Sequence, residues 1–545
     1  MTGNILIKNG IIIDGTNSRR YKGDLLISGD KIKQIGEIDD SKNPQVIDAK
    51  GLVVAPGFID VHTHLDFFFP SSRHAEILKT WAYQGVTTIV AGNCGFSVAP
   101  INHEYEKIFS SYCSFALPKD GLNYEWTTMK DLFEFLEKNG LAFNLAMLTG
   151  HNTLRTNAMG FQARFAEDNE ISEMKQSLKE SLDAGSIGLS LGLAYCPGIF
   201  SHTDEIIELA SVLTPYGAPL VPHIRGLMTK FLDKAVEEVI QVAEKNKIPL
   251  HISHHAGGGL SRIRKKATKI IDEAIERGVK ISHDNIAWPN SSTTVLQSFP
   301  PSLFDGGIEK FFERIKDPQI REKAKDEILN FEPKWPNWEH NWWIDKNFNL
   351  NLYLAGFRKE KNKKFENKSI KQIGEMFNKD PLDAYIDLVI EEEGKIYFIT
   401  SPFDDSMANQ YVEILFKDPN CSLGTDIVGV DLNTISPGSY GAFPKILGEF
   451  TREKNLFSLE EAIFRMTGLP AQQMKLPNRG VIKKGAFADI TIFDPEKIKC
   501  TSKYTDPYHL PTGVKYVLIN GKIAFEDGNY DPGLLAGKVI KSKKL

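Results

Sequence analysis

The chain has 545 residues, of which 41% are hydrophobic and 25% are charged, and its formal net charge is −5. This length exceeds the range in which one hydrophobic core keeps growing, so we expect one large domain with a satellite, or two or three domains. The mild negative charge disfavours nucleic acid and anionic membranes as main partners. The sequence contains no apolar run of about 18 residues, so we expect no membrane span.

The cysteines and the first residues predict a cytoplasmic protein. The stretch MTGNILIKNGIIIDG has a single lysine and lacks the apolar region of a secretory signal. Five scattered cysteines fit a reducing compartment better than a disulfide framework, which needs an even number. These residues are Cys94, Cys113, Cys196, Cys421 and Cys500.

Both ends of the chain have the pattern of short β-strands. Near the start, ILIKNGIIIDG and DLLISGDKIKQIG contain the predicted turn pairs Asn9-Gly10 and Gly29-Asp30, and near the end ADITIFDP and VKYVLINGKIAFEDG repeat this style. Neither end alone has enough strands for a stable sheet. We therefore expect residues 1–54 and 479–545 to form one small β-sandwich together.

Residues 55–478 alternate between strand-like and helix-like stretches. Eight apolar runs have the length of buried strands: FIDVH, TTIV, FNLAML, GLSLGL, PLVPH, PLHIS, VKISHD and CSLGTD. Stretches such as ISEMKQSLKESLDAG and FLDKAVEEVIQVAEKN carry apolar residues three and four apart, which is typical of helices. Strands that alternate with helices predict an α/β fold, and their number favours a parallel (β/α)8 barrel of the TIM type over an open sheet.

The alternation fails over residues 296–400, a stretch too long for a connecting loop. This predicted insert contains charged helices and the aromatic run EPKWPNWEHNWWID, which holds four of the seven tryptophans. They are Trp335, Trp338, Trp342 and Trp343. One interpretation is a lid over the mouth of the barrel, and the other is a surface subdomain with a small core of its own.

Polar side chains end most of the predicted strands, at the edge where a barrel of this type has its chemistry. The first strand ends in His62-Thr63-His64, and residues i and i+2 of a strand point to the same side, so both imidazoles face one point. Cys94 stands in a Gly/Asn turn directly after the second strand, where loops carry function on a rigid scaffold. The later strands end at His223, at His254 or His255, at His283-Asp284 and at Asp426.

Each of these residues also has an interpretation without a metal. A lone histidine on a strand is more often a hydrogen-bonded core residue, a cysteine often packs as a small hydrophobe, and Asp426 could cap the next helix. These explanations are independent of one another, whereas a metal explains all the residues at once. Imidazoles, a thiolate and a carboxylate around one mouth therefore predict a metal site.

Several segments together resemble one known family. PGFIDVHTH, TDxVG at 425–429 and GxxADITIFDP at 485–495 are similar to the amidohydrolase superfamily. More narrowly, GVTTIVAGNCGFSVAP, GHNTLR, GSIGLSLGLAYCPG, HIRG, HISHH, YGAFPKILGEFTRE and MTGLPAQQMKLPNRG resemble the N-acyl-D-amino-acid deacylases, or D-aminoacylases. The resemblance extends from the first strands to about Gly521 and is weakest over residues 296–402.

The resemblance implies a zinc site and assigns its ligands. In that family the cysteine of GNCG binds zinc together with a histidine of the HIR motif and the first histidine of ISHH. Carried over to this sequence, the zinc ligands are Cys94, His223 and His254. A second, weaker metal site would be formed by His62, His64 and Asp426. His255 points to the opposite face of its strand and is interpreted as structural.

The predicted reaction is hydrolysis assisted by this metal. Zinc held by a thiolate and two imidazoles keeps one coordination position open for water, lowers the pKa of that water and polarises a carbonyl group. Asp426 is predicted to be the general base that takes the water proton and returns it to the leaving amine. The residues alone predict metal-assisted hydrolysis, and the resemblance adds the amide bond. Substrate contacts are predicted at Tyr195, Arg225, Trp288 and Ser292.

The chain departs from the family pattern at positions that surround the substrate. The lysine of the family's ISHHK is Ala256 here, and the arginine before the S-Y-G stretch is Gly438. The acidic pair that commonly follows HIR is replaced by Gly226-Leu227. The family's Tyr-Pro-Tyr segment is Ala287-Trp288-Pro289, which leads into Ser291-Ser292-Thr293.

These departures bear on the substrate more than on the reaction. Alanine and glycine cannot form charge-assisted hydrogen bonds to a carboxylate. We therefore expect that the leaving amine is not a free D-amino acid, or that Arg155, Arg225 or Arg262 replaces the missing cations. A cyclic amide or lactone hydrolase, a deaminase, and a barrel that binds a small molecule without hydrolysing it stay open as alternatives.

Overall fold

The computed structural model describes residues 4–39, 44–227, 230–254, 262–288, 292–330, 335, 352–399, 412–428, 431, 436–503, 506–542 and 544. Some residues to which the sequence assigns a role lie outside this part of the chain. They are His255, Ala256, Pro289, Ser291, Trp338, Trp342 and Trp343. Their assignments stay predictions.

The strands are numbered in chain order. The first five are β1 (Ile5–Ile12), β2 (Tyr21–Ser28), β3 (Lys31–Gly36), β4 (Gln45–Asp48) and β5 (Val53–Pro56). The next eight are β6 (Phe58–Asp60), β7 (Val86–Ala91), β8 (Asn144–Met147), β9 (Thr149–Gly150), β10 (Leu189–Gly192), β11 (Leu220–His223), β12 (Leu250–Ile252) and β13 (Ile281–Ile286). They are followed by β14 (Ser292–Thr294), β15 (Tyr353–Ala355), β16 (Lys368–Ser369), β17 (Tyr397–Ile399) and β18 (Cys421–Gly424). The last four are β19 (Ile490–Phe493), β20 (Val514–Ile519), β21 (Lys522–Glu526) and β22 (Asn529–Tyr530).

The α-helices are numbered in the same way. Those before the insert are α1 (His74–Ile77), α2 (Lys79–Tyr83), α3 (Glu106–Tyr112), α4 (Met129–Asn139), α5 (His151–Met159), α6 (Asp168–Ala184), α7 (Thr203–Ala210), α8 (Leu232–Asn246) and α9 (Arg262–Glu276). The others are α10 (Ile308–Lys316), α11 (Pro318–Asn330), α12 (Ile370–Phe377), α13 (Pro381–Glu391), α14 (Gly438–Lys445), α15 (Leu459–Met466) and α16 (Gly468–Gln473). A π-helix covers Ile446–Glu453, and 3₁₀ turns cover Leu65–Phe67, Gly198–Phe200, Ser211–Tyr216, Val295–Ser298, Pro301–Phe304 and Glu360–Phe365.

Strands from both ends of the chain come together in one mixed sheet. Its order is β22-β21-β20-β19-β5-β1-β2-β3, and β4 pairs with β1. The two ends meet where β19 pairs antiparallel with β5, with Ile490 opposite Pro56 and Phe493 opposite Val53. All described strands of the two ends therefore belong to a single nine-stranded sheet.

The pair Asn9-Gly10 is predicted from the sequence to be a turn, and this prediction is wrong. It lies inside β1, where the register against β2 shifts between Ile7 and Gly10. Asn9 has a φ of 60°, and asparagine tolerates this left-handed conformation better than most residues. The pair is part of a β-bulge, whereas Gly29-Asp30 does form the turn between β2 and β3.

The eight apolar runs of the middle region are all strands, and they pair in parallel. β6, β7 and β8 form one sheet, and β9 to β13 with β18 form another in the order β18-β13-β12-β11-β10-β9. Only Leu148 separates β8 from β9. At the other end of the array, the backbone N–H of Asp426 donates to the carbonyl of His62 at 2.9 Å, so the residues after β18 lie beside those after β6. Because the strands are parallel, the residues that follow them meet at one edge.

The insert packs against the rest of the molecule. β14 to β17 form a four-stranded antiparallel sheet in the order β14-β17-β15-β16. The ring of Phe304 contacts that of Tyr112 edge-on, with centroids 5.9 Å apart. Most of the buried apolar side chains of the insert belong to the same cluster as those of α3 and α4. The insert therefore shares its main core with its neighbours. Among the described residues, no helix combines the length and the apolar character that a membrane crossing requires.

Candidate metal centre

Cys94 lies at the centre of a group of histidines. Its Sγ is 3.4 Å from Nε2 of His62, 3.6 Å from Nδ1 of His223 and 3.6 Å from Nε2 of His254. The Cys94 side chain and all three imidazoles are buried or nearly so. Four chain segments, at or just after the ends of β6, β7, β11 and β12, therefore converge on one sulfur atom.

The turn that carries Cys94 is held by buried polar contacts. Cys94 itself has a φ of 49°, and its neighbours Gly92 and Gly95 also have positive φ values. The carboxylate of Asp66 accepts the backbone N–H groups of Gly92 at 3.3 Å and Val98 at 2.9 Å. Because the β-carbon of a residue at Gly95 would lie 2.5 Å from the backbone nitrogen of Gly192, only glycine fits this close approach between two loops.

His62 and His64 both face Asp426. Oδ1 of Asp426 lies 3.4 Å from Nε2 of His62 and 3.3 Å from Nε2 of His64. The two histidines were expected at the end of the strand, but β6 ends at Asp60, so they lie in the segment that follows it. Their convergence comes from this turn rather than from strand alternation.

The ligand-type atoms form two groups that share the sulfur of Cys94. One consists of His62, His64, Cys94 and Asp426, and the other of Cys94, His223 and His254. Within each group the nitrogen, sulfur and oxygen atoms all lie within 4.8 Å of one another. The structure thus brings together all six residues that the sequence predicts as metal ligands. Their role as ligands stays a prediction.

The donor set fits zinc. Ligands of a tetrahedral zinc site, with Zn–S near 2.3 Å and Zn–N near 2.0–2.1 Å, lie about 3.6 Å apart. The distances from the sulfur of Cys94 to the nitrogens of His223 and His254 have this length. Zinc prefers sulfur and imidazole ligands, whereas calcium and magnesium prefer oxygen ligands. A buried sulfur surrounded by imidazoles therefore favours zinc.

Electrostatics at the centre favour a thiolate. Burial raises the pKa of the Cys94 thiol, but His62, His223 and His254 outweigh burial and hold that pKa well below its usual range. Burial lowers the pKa of His64, whereas Asp426 and Cys94 outweigh burial and raise it to about 9. The sulfur therefore carries negative charge, which is the form that binds a metal.

Asp284 connects the two groups. The sequence predicts that its strand ends at His283-Asp284, but β13 continues to Ile286, so Asp284 lies inside the strand. Its Oδ2 accepts hydrogen bonds from Nδ1 of His62 at 3.2 Å and from Nε2 of His251 at 3.1 Å, and its Oδ1 accepts the backbone N–H of His254 at 2.8 Å. Burial raises the pKa of this carboxyl, but His62 and His251 outweigh burial and hold it well below its usual range. Asp284 is therefore a buried carboxylate.

The predicted substrate residues have different surroundings. The ring of Tyr195 lies edge-on to that of His223, with centroids 4.9 Å apart, and its hydroxyl is 3.1 Å from Oγ1 of Thr293. Trp288 and Ser292 line a small pocket together with Asp426. These three residues lie beside the metal centre, and their contact with substrate stays a prediction.

The arginines that were expected to replace the missing cations have other partners. Arg225 is buried, and its guanidinium donates to Glu238 at 2.8 Å and to the carbonyls of Ile199 and Ser201. Arg155 is buried and paired with Glu205, and Arg262 is exposed at the start of α9. The contacts of Arg155 and Arg225 argue against both as ligands of a substrate carboxylate, including the assignment of Arg225 as a substrate contact. The assignment of Arg262 stays a prediction.

Sequence reasoning missed several supporting residues. Asp66 follows the HxH pair by two positions in HTHLD, and Ser190 lies in the run GLSLGL, where its hydroxyl accepts the N–H of Gly95 at 3.1 Å. Thr293 in β14, just before the insert, reaches Tyr195. Asp284 stood among the polar strand ends but received no role. The only available signal was their position in or beside the quoted motifs, which does not tell which partner each residue meets.

The fold and the centre define a hydrolase of the amidohydrolase type, with an α/β fold. The profile described as the Amidohydrolase family matches residues 45–270 and 406–525, which is more than half of the chain. The chain belongs to this family, and it is a hydrolase that acts on amide C–N bonds.

The chain is similar over its whole length to deacylases of N-acyl-D-amino acids. It is 29% identical to the D-aminoacylase of Alcaligenes xylosoxydans xylosoxydans over 537 residues, which cover 98% of this chain and 97% of that protein. It is also 29% identical to the N-acyl-D-glutamate deacylase of the same organism, over 98% of this chain and 96% of that protein. The family resemblance predicted from the sequence is therefore confirmed.

Solved structures agree with this relationship. The N-acyl-D-glutamate deacylase of Bordetella bronchiseptica, complexed with zinc and a phosphonate inhibitor, superimposes with a TM-score of 0.79 and 26% identity over 99% of this chain and 100% of that chain. A D-aminoacylase structure described as having a binuclear metal centre gives the same TM-score, identity and coverage. A dihydropyrimidinase from Brevibacillus agri, with a TM-score of 0.52 and 14% identity, shares the fold alone.

Proposed function

We propose that this protein is a zinc-dependent amidohydrolase that cleaves an N-acyl amide bond, as the N-acyl-D-amino-acid deacylases do. The observation that carries the proposal is the convergence of three imidazoles on the sulfur of Cys94, with Asp426 directly beside them. The similarity to deacylases over the whole chain supports the choice of the amide bond.

In this proposal the parallel strands close into a (β/α)8 barrel within residues 55–478, and the single nine-stranded sheet of residues 1–54 and 479–545 folds over on itself as a β-sandwich beside it. The hydrogen bond from Asp426 to the carbonyl of His62 supports closure, because it joins the two ends of the array. The insert acts as the lid at the mouth. Thr293 lies in β14, which pairs with β17 of the insert, and its contact with Tyr195 supports that role.

We assign the tightly bound zinc to Cys94, His223 and His254, and a second, weaker metal to His62, His64 and Asp426 with the shared sulfur of Cys94. Bound there, zinc lowers the pKa of water and polarises the scissile carbonyl. The chain's own residues then supply proton transfer and orientation.

Asp426 is the proposed general base. Its carboxylate is partly open, with 13% of the side chain exposed, whereas His62 beside it is fully buried. An incoming water can thus reach Asp426 from the mouth. The carboxylate takes the proton of that water as the oxygen attacks the carbonyl carbon, and returns the proton to the nitrogen of the leaving amine when the C–N bond breaks.

Substitution of Asp426 tests this role. Asp426→Asn keeps the size of the side chain but removes the base, so we expect kcat to fall by about 10²- to 10⁴-fold. Zinc content should stay near one per chain, because Cys94, His223 and His254 are unchanged. An Asn variant with wild-type kcat would exclude Asp426 as the base, and wild-type protein without zinc would exclude the proposed function altogether.

We further propose that the group bound beside Asp426 is uncharged. The pocket there is lined by Trp288, Ser292, Ser436, Gly438 and Ala442, among others, and no described residue of its lining is cationic. The sequence of segments 255–261, 289–291 and 400–411 contains neither lysine nor arginine. Among the described lining of this pocket, a substrate carboxylate would find no cationic side chain for the charge-assisted hydrogen bonds that recognise it.

Lys445, a cation that contacts the pocket residue Trp288, is already engaged. Nζ of Lys445 lies 3.4 Å from the ring centroid of Trp288 and 3.4 Å from a carboxylate oxygen of Glu449. The lysine therefore supports the indole and is balanced by Glu449. It does not supply a free charge to the pocket.

A substrate panel tests this part. N-acyl D- and L-amino acids are compared with their neutral amides and with cyclic amides at the same concentration. We expect kcat/KM for a neutral amide to exceed that for the matching N-acyl-D-amino acid. The reverse order, with robust turnover of N-acetyl-D-methionine or N-acetyl-D-glutamate, would contradict the uncharged pocket but leave the amidohydrolase proposal intact.

A further inference from the structure

We infer that Asp284 is a positioning residue that sets the hydrogen-bonding state of His62 and the backbone of His254, and thereby couples the two proposed metal sites. This inference rests on the proposed function, since it concerns how the chain prepares two ligands for metal. It assigns a role to a residue that neither binds the metal nor touches the substrate.

The first contact concerns the direction of the His62 lone pair. Nε2 of His62 faces the sulfur of Cys94 at 3.4 Å and Asp426 at 3.4 Å, so this nitrogen is the one that would bind a metal. A neutral imidazole carries its proton on the other nitrogen in that case. An ionised carboxylate only accepts hydrogen bonds, and Oδ2 of Asp284 lies 3.2 Å from Nδ1. Asp284 therefore holds the proton on Nδ1 and leaves the lone pair on Nε2.

The second contact concerns the position of the His254 ring. His254 has a φ of 32°, which is uncommon for a residue other than glycine. Its backbone N–H donates to Oδ1 of Asp284 at 2.8 Å. This bond stabilises the unusual backbone conformation that places Nε2 of His254 3.6 Å from Cys94.

The surroundings of Asp284 tie it to the proposed metal ligands. Asp284 is 1% exposed, and a buried carboxylate needs partners to offset its lost hydration. Among the described residues its ion-pair partners are the histidines His62 and His251, without lysine or arginine. His251 is itself held by Oγ of Ser282 at 2.9 Å. Two of the three groups that satisfy Asp284 thus belong to proposed metal ligands, whose orientation such contacts control.

Asp284→Asn separates the two contacts. The amide oxygen can still accept the N–H of His254, but the amide nitrogen then faces His62 as a donor. Nδ1 of His62 must accept, and its proton moves to Nε2, where it blocks metal binding. We expect the affinity for the second metal to fall by about 10- to 100-fold, and the affinity for the first to change by less than about tenfold.

Asp284→Ala removes both contacts. Because the N–H of His254 then also loses its acceptor, we expect the affinity for the first metal to fall by about 10- to 100-fold as well. Both affinities are measured by zinc titration against a competing chromogenic chelator, with circular dichroism to confirm the fold. An Asn variant that binds both metals like the wild type, or that weakens the first metal more than the second, would overturn the inference.

Glu205→Gln is the matched control. Glu205 is also a buried carboxylate that contacts a histidine, His151, but His151 is not a proposed ligand. We expect this variant to bind both metals as the wild type does. If Glu205→Gln weakens metal binding as strongly as Asp284→Asn, the effect is a general loss of stability and the inference fails. If the wild type binds no zinc, the proposed function itself fails.

A measurement on the wild type covers the case in which Asp284→Asn does not fold. In cobalt-loaded protein, the N–H proton on Nδ1 of a ligating His62 should give a proton resonance strongly shifted by the paramagnetic ion. Because that proton lies in a buried hydrogen bond to Asp284, its signal should persist after transfer to D₂O for longer than that of an exposed imidazole. A signal that is absent or exchanges at once would contradict the proposed proton position.

Discussion

Among the described residues, two buried clusters of histidine and carboxylate differ in whether they contain an arginine. In the metal centre, Asp284 and Asp426 contact His62 and His64. In a second cluster, which we call the Glu205 cluster, Glu205 contacts His151 at 2.8 Å and also pairs with Arg155. Arginine enters only the second cluster among the described residues.

This difference separates a site for a ligand from a structural contact. Arg155 supplies the positive charge that Glu205 needs, so the Glu205 cluster is complete by itself. In the candidate metal centre, the described side chains that meet Cys94, Asp284 and Asp426 are imidazoles, without lysine or arginine. A cation that binds there completes the balance, whereas the same arrangement with arginine would leave no place for one. The presence of a permanent cation is thus more informative than the presence of histidine.

The largest expected effect is the removal of the shared sulfur. Cys94→Ala deletes the atom on which His62, His223 and His254 converge, so we expect zinc to fall from about one per chain to background, and amide hydrolysis to fall on the order of 10³-fold or more. Elemental analysis and turnover measure the two effects. Cys113→Ala is the control, since Cys113 is equally buried but lies outside both ligand groups. If Cys94→Ala still binds zinc, the cluster around Cys94 is not the zinc site, and it no longer differs from the Glu205 cluster as a ligand site from a structural contact.

The next effect tests the Glu205 cluster. Glu205→Gln leaves the buried Arg155 without its counter-charge, so we expect a loss of about 3–5 kcal/mol in the free energy of unfolding. Zinc content should be unchanged. Denaturant unfolding and elemental analysis, carried out on the same preparation, distinguish the two quantities.

The contribution of Glu205 to the free energy of unfolding has a predictable pH dependence. Burial raises the pKa of Glu205, but His151 and Arg155 outweigh burial and lower it to about 2, from an ordinary value of 4.5. A lowered carboxyl pKa stabilises the folded state above about pH 4.5, and this contribution disappears as the pH falls toward 2. The difference in unfolding free energy between wild type and Glu205→Gln should therefore shrink over this range. A difference that stays constant would show that the charge of Glu205 does not matter.

A smaller effect is expected from the loop beside Cys94. The β-carbon of Gly192→Ala would lie 1.9 Å from the carbonyl oxygen of Cys94, so the Cys94 turn must move. We expect a loss of about 1–3 kcal/mol in stability together with weaker zinc binding. Gly533→Ala is the control, because its β-carbon would meet only a carboxylate oxygen of Asp531, at 3.2 Å. If Gly192→Ala lowers the stability but leaves zinc binding unchanged, the turn that carries Cys94 does not shape the metal centre.

The smallest effect is expected at Tyr195. Tyr195→Phe removes the hydroxyl that meets Thr293 and should cost about 0.5–1.5 kcal/mol in stability. A double-mutant cycle with Thr293→Val isolates this one hydrogen bond. If the insert acts as a lid, KM should rise in the single variant while zinc content is retained. An unchanged KM would count against the lid.

Much of the scaffold could be predicted because its signals are local. The runs FIDVH to CSLGTD are apolar over a strand's length, and the helical stretches between them repeat their apolar residues every three or four positions. Each run forms a strand in the structure. Where a local signal has two structural solutions, prediction failed: Asn9-Gly10 favours the left-handed backbone, which serves a bulge as well as a turn.

The sequence by itself also determined which residues form the candidate metal centre, since parallel strands bring the residues at their ends to one edge. Tertiary structure decided the pairings, because the partners are far apart along the chain. His62 and Asp284 are separated by 222 positions, and His64 and Asp426 by 362. Whether Arg155 and Arg225 are free for substrate depended on Glu205 and Glu238, which approach them only when the helices pack. The physical reason is that the identity of a residue sets what it can bind, whereas its neighbours in space set what it does bind.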